Sequence, residues 1–280
     1  MRQLDTYQAE CPDKYDEIKS MAIITLTSDW GTSDYYLAAV KGTILAQLPE
    51  VNIVDISHHI AAFDVESAAF TIQQCFRNFP QGTVHLIGIN SEESKETPHT
   101  IVKAHGQYFV GADTGIFSMI LEDEEAEAII EIDIPLDSDF YTFSTRDRFV
   151  KAAVQLIKGT PLHDLGFQRE ELNKRLPFQP ATTADSIKGM VIHVDAYENL
   201  ITNISAKTFK VIKQNRPFEI YCSGYRIRKI SEGYQDVEVA DLVALFGSHG
   251  MLEIAINQGK ASSLLGIKRN TSVFISFFDR

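Results

Sequence analysis

Ala22-Ile-Ile-Thr-Leu-Thr-Ser-Asp-Trp-Gly-Thr32 is the stretch whose reading decides the fold. Six β-branched and apolar residues run into Ser-Asp-Trp-Gly, which predicts a buried strand ending in a glycine turn. A helical pattern follows, with Leu37, Val40, Ile44 and Leu45 on one face, and Pro49 stops it. Val51-Asn-Ile-Val-Asp-Ile56 reads as a second strand. Residues 64–76 read as a second helix with Asp64 placed to cap it, and residues 83–89 as a third strand after the turn Pro80-Gln-Gly82. Strands alternating with helices predict an α/β domain over residues 21–180, with a mostly parallel sheet covered on both faces.

Residues 101–104 and 107–110 flank His105-Gly106, a two-residue turn expected to close a hairpin. Residues 146–157 look helical, and the Pro- and Thr-rich residues 176–185 read as a linker. Beyond it, residues 189–194, 217–222, 242–246, 252–256 and 272–277 are short strands with turns between them and no helix of any length. The expectation for residues 186–280 is a small all-β barrel. Residues 1–20 form a polar N-terminal extension without the apolar run of a signal peptide or anchor.

The 280-residue chain carries a formal charge of −12, and its longest basic cluster is Arg226-Ile-Arg-Lys229, so nucleic acid is an unfavourable partner. No segment reaches the roughly 20 apolar residues that span a bilayer, and a membrane is not expected either. Cys11, Cys75 and Cys222 lack CxxC spacing, which points to a reducing cytoplasm and no zinc site. Nothing indicates another metal or an organic cofactor.

Three clusters carry chemistry. In open α/β sheets ligands lie beyond the carboxyl ends of strands, which places Asp29 where a carboxylate can accept two hydrogen bonds from a vicinal diol. Asp34 can hold a positive charge. A plain helix cap is the competing role for Asp29. Asp195-Ala-Tyr-Glu-Asn-Leu-Ile-Thr-Asn203 gathers acids, amides and an aromatic; Asn199 suits an adenine edge, and the same composition suits a turn. Phe246-Gly-Ser-His-Gly250 is a glycine-flanked turn whose amides can cradle a carboxylate, or simply close a hairpin.

Taken in order, these segments resemble the S-adenosylmethionine hydroxide adenosyltransferase family, relatives of the fluorinating and chlorinating enzymes. Ser28-Asp-Trp-Gly-Thr-Ser-Asp34 resembles its SD-x-G-x-x-D, and His58-His-Ile-Ala-Ala-Phe-Asp-Val65 its H-x-I-x-x-x-D-V. Phe79-Pro-Gln-Gly-Thr-Val-His85, Phe109-Val-Gly-Ala-Asp-Thr-Gly115 and Thr142-Phe-Ser-Thr-Arg-Asp147 resemble FP-x-GTVH, FVGPDNG and TFHGRD. Asn199-Leu-Ile-Thr-Asn203 and the 247–255 segment are similar to GNLxTN and N-S-x-G-x-LEIA. The likeness runs over residues 23–275.

The resemblance implies attack of water or halide at C5′ of S-adenosylmethionine with loss of methionine. Asp29 would hold the ribose diol, Phe63 and Phe143 would wall the reacting carbon, and Thr145 stands where halide-using relatives place a hydroxyl or small residue. Asp195 and Asn199 would bind the methionine amine and the adenine. Tyr234 would stack on adenine, and Ser248 with His249 would take the methionine carboxylate. Core packing is the competing role for the aromatics, Phe143 above all. Three chains would assemble as a homotrimer, each site lying between the first domain of one and the second domain of the next.

The chain departs from the family's hydrolytic members at their water-activating Asp, Arg and His. Asn90 replaces the Asp, no Arg follows it, and Ser144 replaces the His. An amide is no base at neutral pH. Glu92, Glu93 or His99, in the acidic loop after Asn90, are candidates to substitute. The leading expectation is hydrolysis to adenosine and methionine; the rival is a non-catalytic binder, and a halogenating enzyme comes third.

Overall fold

A computed structural model describes residues 22–122, 124–135, 140–176 and 179–279. The extension 1–20 lies outside the described residues, as do two residues of the 176–185 linker. The chain divides into two compact units. The first takes in the described residues up to Ala68, Cys75–Phe117 and the described residues from there to Asn173; the second takes in Ala69–Gln74, Ser118–Glu122 and the described residues from Lys174 onward.

The first unit is built on a seven-stranded sheet. Its strands are β1 (Ile23–Ser28), β2 (Asn52–Ser57), β3 (Val84–Gly88), β4 (His99–Ala104), β5 (Gln107–Ala112), β6 (Ala128–Ile132) and β7 (Gly166–Gln168), in the order β2-β1-β3-β5-β4-β6-β7. The four strands β2, β1, β3 and β5 pair in parallel, and β4, β6 and β7 extend the sheet antiparallel. This is the expected α/β class. The hairpin β4–β5 turns at His105 and Gly106, both at positive φ (54° and 68°), as a tight two-residue turn requires.

Helix α1 (Tyr35–Gln47) buries Val40 and Ile44, whereas Leu45 is exposed, so its apolar face is narrower than the sequence suggests. Asp64 caps α2 (Val65–Gln73) through the Ser67 amide at 3.1 Å, as expected. Ile116–Leu121 forms a short α3. The helical residues 146–157 are two pieces. Thr145–Phe149 is a π turn, in which the Val150 amide reaches back five residues to the Thr145 carbonyl, and it leads into α4 (Val150–Ile157). Val150, Ala153 and Val154 of α4 join Ile24, Leu26, Val84 and Leu86 of the sheet in the core.

The second unit holds β8 (Ala181–Thr182), β9 (Ser186–Val194), β10 (Leu200–Ser205), β11 (Phe218–Cys222), β12 (Tyr225–Ile227), β13 (Leu242–Phe246), β14 (Met251–Ile256) and β15 (Ser272–Phe277). The order is β12-β11-β15-β9-β10-β14-β13, all antiparallel, with β8 on β9. Ser231, just beyond β12, bridges to Leu245 of β13, so the two ends of that order approach each other and the sheet is nearly a barrel. Ile187, Val191, Ile220, Ile254 and Ile275 fill it. The expected absence of helices is corrected here: α5 (Ala206–Lys213), capped by Ser205 on the Thr208 amide, packs Phe209 into that core, and α6 (Ala261–Leu265) follows β14.

Candidate active site

In the first unit the site grows from the carboxyl end of β1, flanked by the parallel strands β2 and β3. Asp29 leaves that end half-buried. Its Oδ2 accepts the Phe63 amide at 2.9 Å, while Oδ1 makes no hydrogen bond among the described residues. Ser28 Oγ lies 2.7 Å from His58 Nδ1, and the Gly31 amide donates to the His58 carbonyl at 2.7 Å. Gly31 has φ +68, which the glycine permits without strain. The capping role weighed for Asp29 falls to Asp34, which is exposed and accepts the Tyr35 amide at 2.6 Å. Phe63 is 71% exposed and holds φ +64, an uncommon conformation for a bulky residue.

Phe143 is 8% exposed and packed edge-on against Trp30 and Tyr36, with ring centroids 5.6 and 5.2 Å away. Its contacts in the structure are those of core packing. The Trp30 ring lies so close to Gly88 that a Cβ there would sit 2.3 Å from it and 3.2 Å from Thr145 Oγ1. Thr145 is 1% exposed, and its hydroxyl has no hydrogen-bond partner among the described residues. A buried orphan hydroxyl costs on the order of 1–3 kcal/mol unless something else fills its bonding capacity.

Asn90 is exposed at φ +45, Glu92 is exposed with no bond from its carboxylate among the described residues, and Ser144 is buried. His99 is fully buried. Its Nε2 sits 3.0 Å from the Ser91 carbonyl, and its Nδ1 takes a bond from Arg148 Nη1 at 3.0 Å. These partners assign the neutral tautomer with the proton on Nε2, and burial pushes the His99 pKa down although Glu93 pulls the other way. Arg148 also donates to Glu93 Oε1 at 2.6 Å. An arginine therefore does reach the loop after Asn90, from 49 residues beyond His99, where no local spacing reveals it.

The second unit assembles its own set. Asp195 Oδ1 accepts the amides of Tyr197 and Asn199 at 2.9 and 2.8 Å, and its Oδ2 accepts the buried Asn199 side-chain amide at 3.1 Å. Both oxygens thus fasten their own turn. Tyr234 donates its hydroxyl to Glu253 Oε1 at 2.6 Å, and burial followed by that carboxylate raises its pKa. His249 Nδ1 accepts the Met251 amide at 3.0 Å, which leaves Nε2 as the donor toward Glu253 Oε2 at 3.3 Å. A Cβ at Gly247 would come 2.4 Å from His249 Nε2, so the glycine admits the ring. The Gly247 and Gly250 amides bond within the turn, and Ser248 is exposed at its tip. A cavity of about 990 Å³ is lined by Tyr197, Asn199, Tyr234, Gln235, Asn257 and Lys260. Sequence reasoning missed Glu253, 3% exposed, which links Tyr234 to His249. The signal was a lone acid inside the apolar strand Leu252-Glu-Ile-Ala255.

The model of the S-adenosylmethionine hydroxide adenosyltransferase N-terminal domain matches residues 24–166, and that of the C-terminal domain matches residues 189–274. The chain belongs to this family. Among curated relatives of this adenosyltransferase-family chain is an (R)-S-adenosyl-L-methionine hydrolase of Methanocaldococcus jannaschii, 31% identical, with the match covering 88% of this chain and 92% of the relative. A fluorinase of Actinopolyspora mzabensis is 23% identical, covering 92% and 98%. A crystal structure of an uncharacterized conserved protein from Thermotoga maritima superposes with a TM-score of 0.81 at 26% identity, covering 91% of this chain and 99% of that one. Among the described residues no group of three or more His, Cys, Asp and Glu is placed to hold a metal ion, and no helix is long and apolar enough to cross a membrane.

Proposed function

We propose that this chain hydrolyses S-adenosylmethionine to adenosine and methionine in a site shared between the first unit of one copy and the second unit of a neighbour in a homotrimer. One observation carries the reading. At the carboxyl end of β1, Asp29 keeps a spare carboxylate oxygen, and the packed group of Trp30, Gly88 and Phe143 next to it borders the buried Thr145 hydroxyl, unpartnered among the described residues. The water oxygen bonds to C5′ while the C5′–S bond breaks, its electron pair leaving on sulfur as the neutral thioether of methionine, and water's extra proton is released. Because a sulfonium is a good leaving group, positioning and desolvation of the nucleophile supply much of the acceleration.

Of the candidate bases, His99 has both ring nitrogens engaged and Glu93 is paired with Arg148. Glu92 keeps its carboxylate unpaired among the described residues, and we assign the proton to it. Asp29 takes the diol and the exposed Phe63 walls the carbon, while Phe143 supports Trp30 and Tyr36 from the core. Asp195, Asn199, Tyr234, Ser248 and His249 bind adenine and the methionine end. The unbridged, buried Cys222 fits the cytoplasm.

A second reading, non-catalytic binding, is favoured by one feature: Asn90 and Ser144 supply no base, and His99 is tied into a buried network. Product analysis after incubation with each sulfonium epimer of S-adenosylmethionine separates the readings. Hydrolysis yields adenosine and methionine. Tight binding by calorimetry without adenosine above the spontaneous background replaces hydrolysis with binding, and 5′-halo-adenosine formed in added halide identifies a halogenating enzyme.

A further inference from the structure

The segment His58-His-Ile-Ala-Ala-Phe-Asp-Val65 gives only Phe63 to the reading above, yet its most buried polar member is His58, 4% exposed. The strand pairing explains how it is aimed. Leu26 pairs with Asp55 and Thr27 with Ser57, so Ile56 is one residue extra on β2, a bulge that re-aims the chain beyond it. β1 and β2 run parallel and end at the same edge, and the re-aimed His58 faces Ser28, the residue before Asp29.

Three hydrogen bonds then lace the Ser28–Gly31 turn to the loop after β2. They are Ser28 Oγ with His58 Nδ1, the Gly31 amide with the His58 carbonyl, and Asp29 Oδ2 with the Phe63 amide. His58 makes two of the three. Its own ring is backed by Asp55, whose Oδ1 lies 3.1 Å from Nε2 without alignment as a hydrogen bond, and Asp55 is held in turn by Lys41 Nζ at 2.6 Å. The first of these bonds is a side-chain contact between buried groups directly beside the carboxylate. Acceptance of two diol hydroxyls is directional, so the plane of that carboxylate decides whether both bonds form.

We propose that His58 is a positioning residue which, through Ser28, sets the orientation of Asp29 and so the selectivity of this chain for a vicinal diol. The inference rests on the reading of Asp29 as the ribose-binding group. A purely structural role for His58 would lower thermal stability and weaken all ligands alike; a positioning role lowers the preference for the diol.

The test is calorimetric titration of the full chain with adenosine and with 2′,3′-dideoxyadenosine, paired with thermal melts. Wild type should prefer adenosine, and Asp29→Ala should erase that preference. His58→Ala and Ser28→Ala should each reduce the preference about tenfold, the scale of one hydrogen bond. His58→Asn, whose amide occupies the place of Nδ1, should restore most of it. If His58→Ala does not fold, Ser28→Ala carries the same test through a smaller change. A wild-type preference kept in Ser28→Ala, while Asp29→Ala abolishes it, overturns the positioning role and leaves the Asp29 reading intact. A wild type with no diol preference, or an Asp29→Ala protein that keeps it, overturns both.

Discussion

His85 ties β3 to its neighbours at the centre of the first unit, and it should make that unit sensitive to acid. The ring is 1% exposed and stacked on Phe109 at 4.7 Å. Its Nδ1 lies 2.7 Å from Thr25 Oγ1 and its Nε2 3.0 Å from Gln107 Oε1, which suits the neutral ring donating from Nε2 and accepting from the threonine. Burial pushes its pKa down from 6.5 to about 4, with the Gln107 carbonyl pulling weakly the other way. The folded state therefore binds this proton less readily than the unfolded chain. Stability from this group is fully present above the unfolded pKa and is lost as pH falls toward the folded one. With about 1.4 kcal/mol per pKa unit, the full loss below both values is about 3 kcal/mol, and about 2 kcal/mol is already gone between roughly pH 7.5 and pH 5. The sole tryptophan, Trp30, lies in this unit, so urea unfolding followed by its fluorescence reads the right transition. His85→Gln should be less stable at neutral pH but should lose about 2 kcal/mol less than wild type over that interval. Parallel pH profiles, agreeing to within about 0.5 kcal/mol, would refute the account of a neutral buried imidazole.

Asp29→Ala should weaken S-adenosylmethionine and adenosine alike by about 2–4 kcal/mol, the loss of two charge-assisted bonds; unchanged adenosine affinity in calorimetry removes Asp29 from the site. Glu92→Gln should cut turnover about 10²–10⁴-fold with affinity largely kept, and an unaltered rate of adenosine release would deny it the base role. Joint replacement Ser144→His with Asn90→Asp should raise adenosine formation; no gain in a folded double variant means that those positions no longer face the nucleophile. Light scattering should give about three times the 31.4 kDa chain mass, and a monomer that still turns over sinks the shared site.

What could be read from the sequence, and what could not, follows the range over which each feature is determined. The strands β1 and β3 were legible because β-branched runs and glycine turns are local, and Asp29 was legible because it ends such a run. α5 was missed for a physical reason: its eight residues span little more than two turns and set only Phe209 and Ile212 against the core, a stripe too short to stand out. β10 was hidden within a segment whose Asp and Asn residues signal a turn. The site divides in the same way. Asp34 and Asp195 carry the residue types that both bind ligands and fasten turns, and the structure shows their carboxylates on neighbouring amides. The Arg148–Glu93–His99 network was illegible because its partners lie 55 and 49 residues apart and meet only once the sheet has formed. Arg148 and His99 nonetheless change the chemical argument more than any motif does. They hold the segment after Asn90 from one side, while the Asn173 side-chain amide holds the Glu96 carbonyl from another. His99, the first residue of β4, cannot turn toward a substrate without giving up, while buried, its bonds to Arg148 and the Ser91 carbonyl. Among the described residues, Glu92 is the candidate base whose carboxylate this network leaves untied.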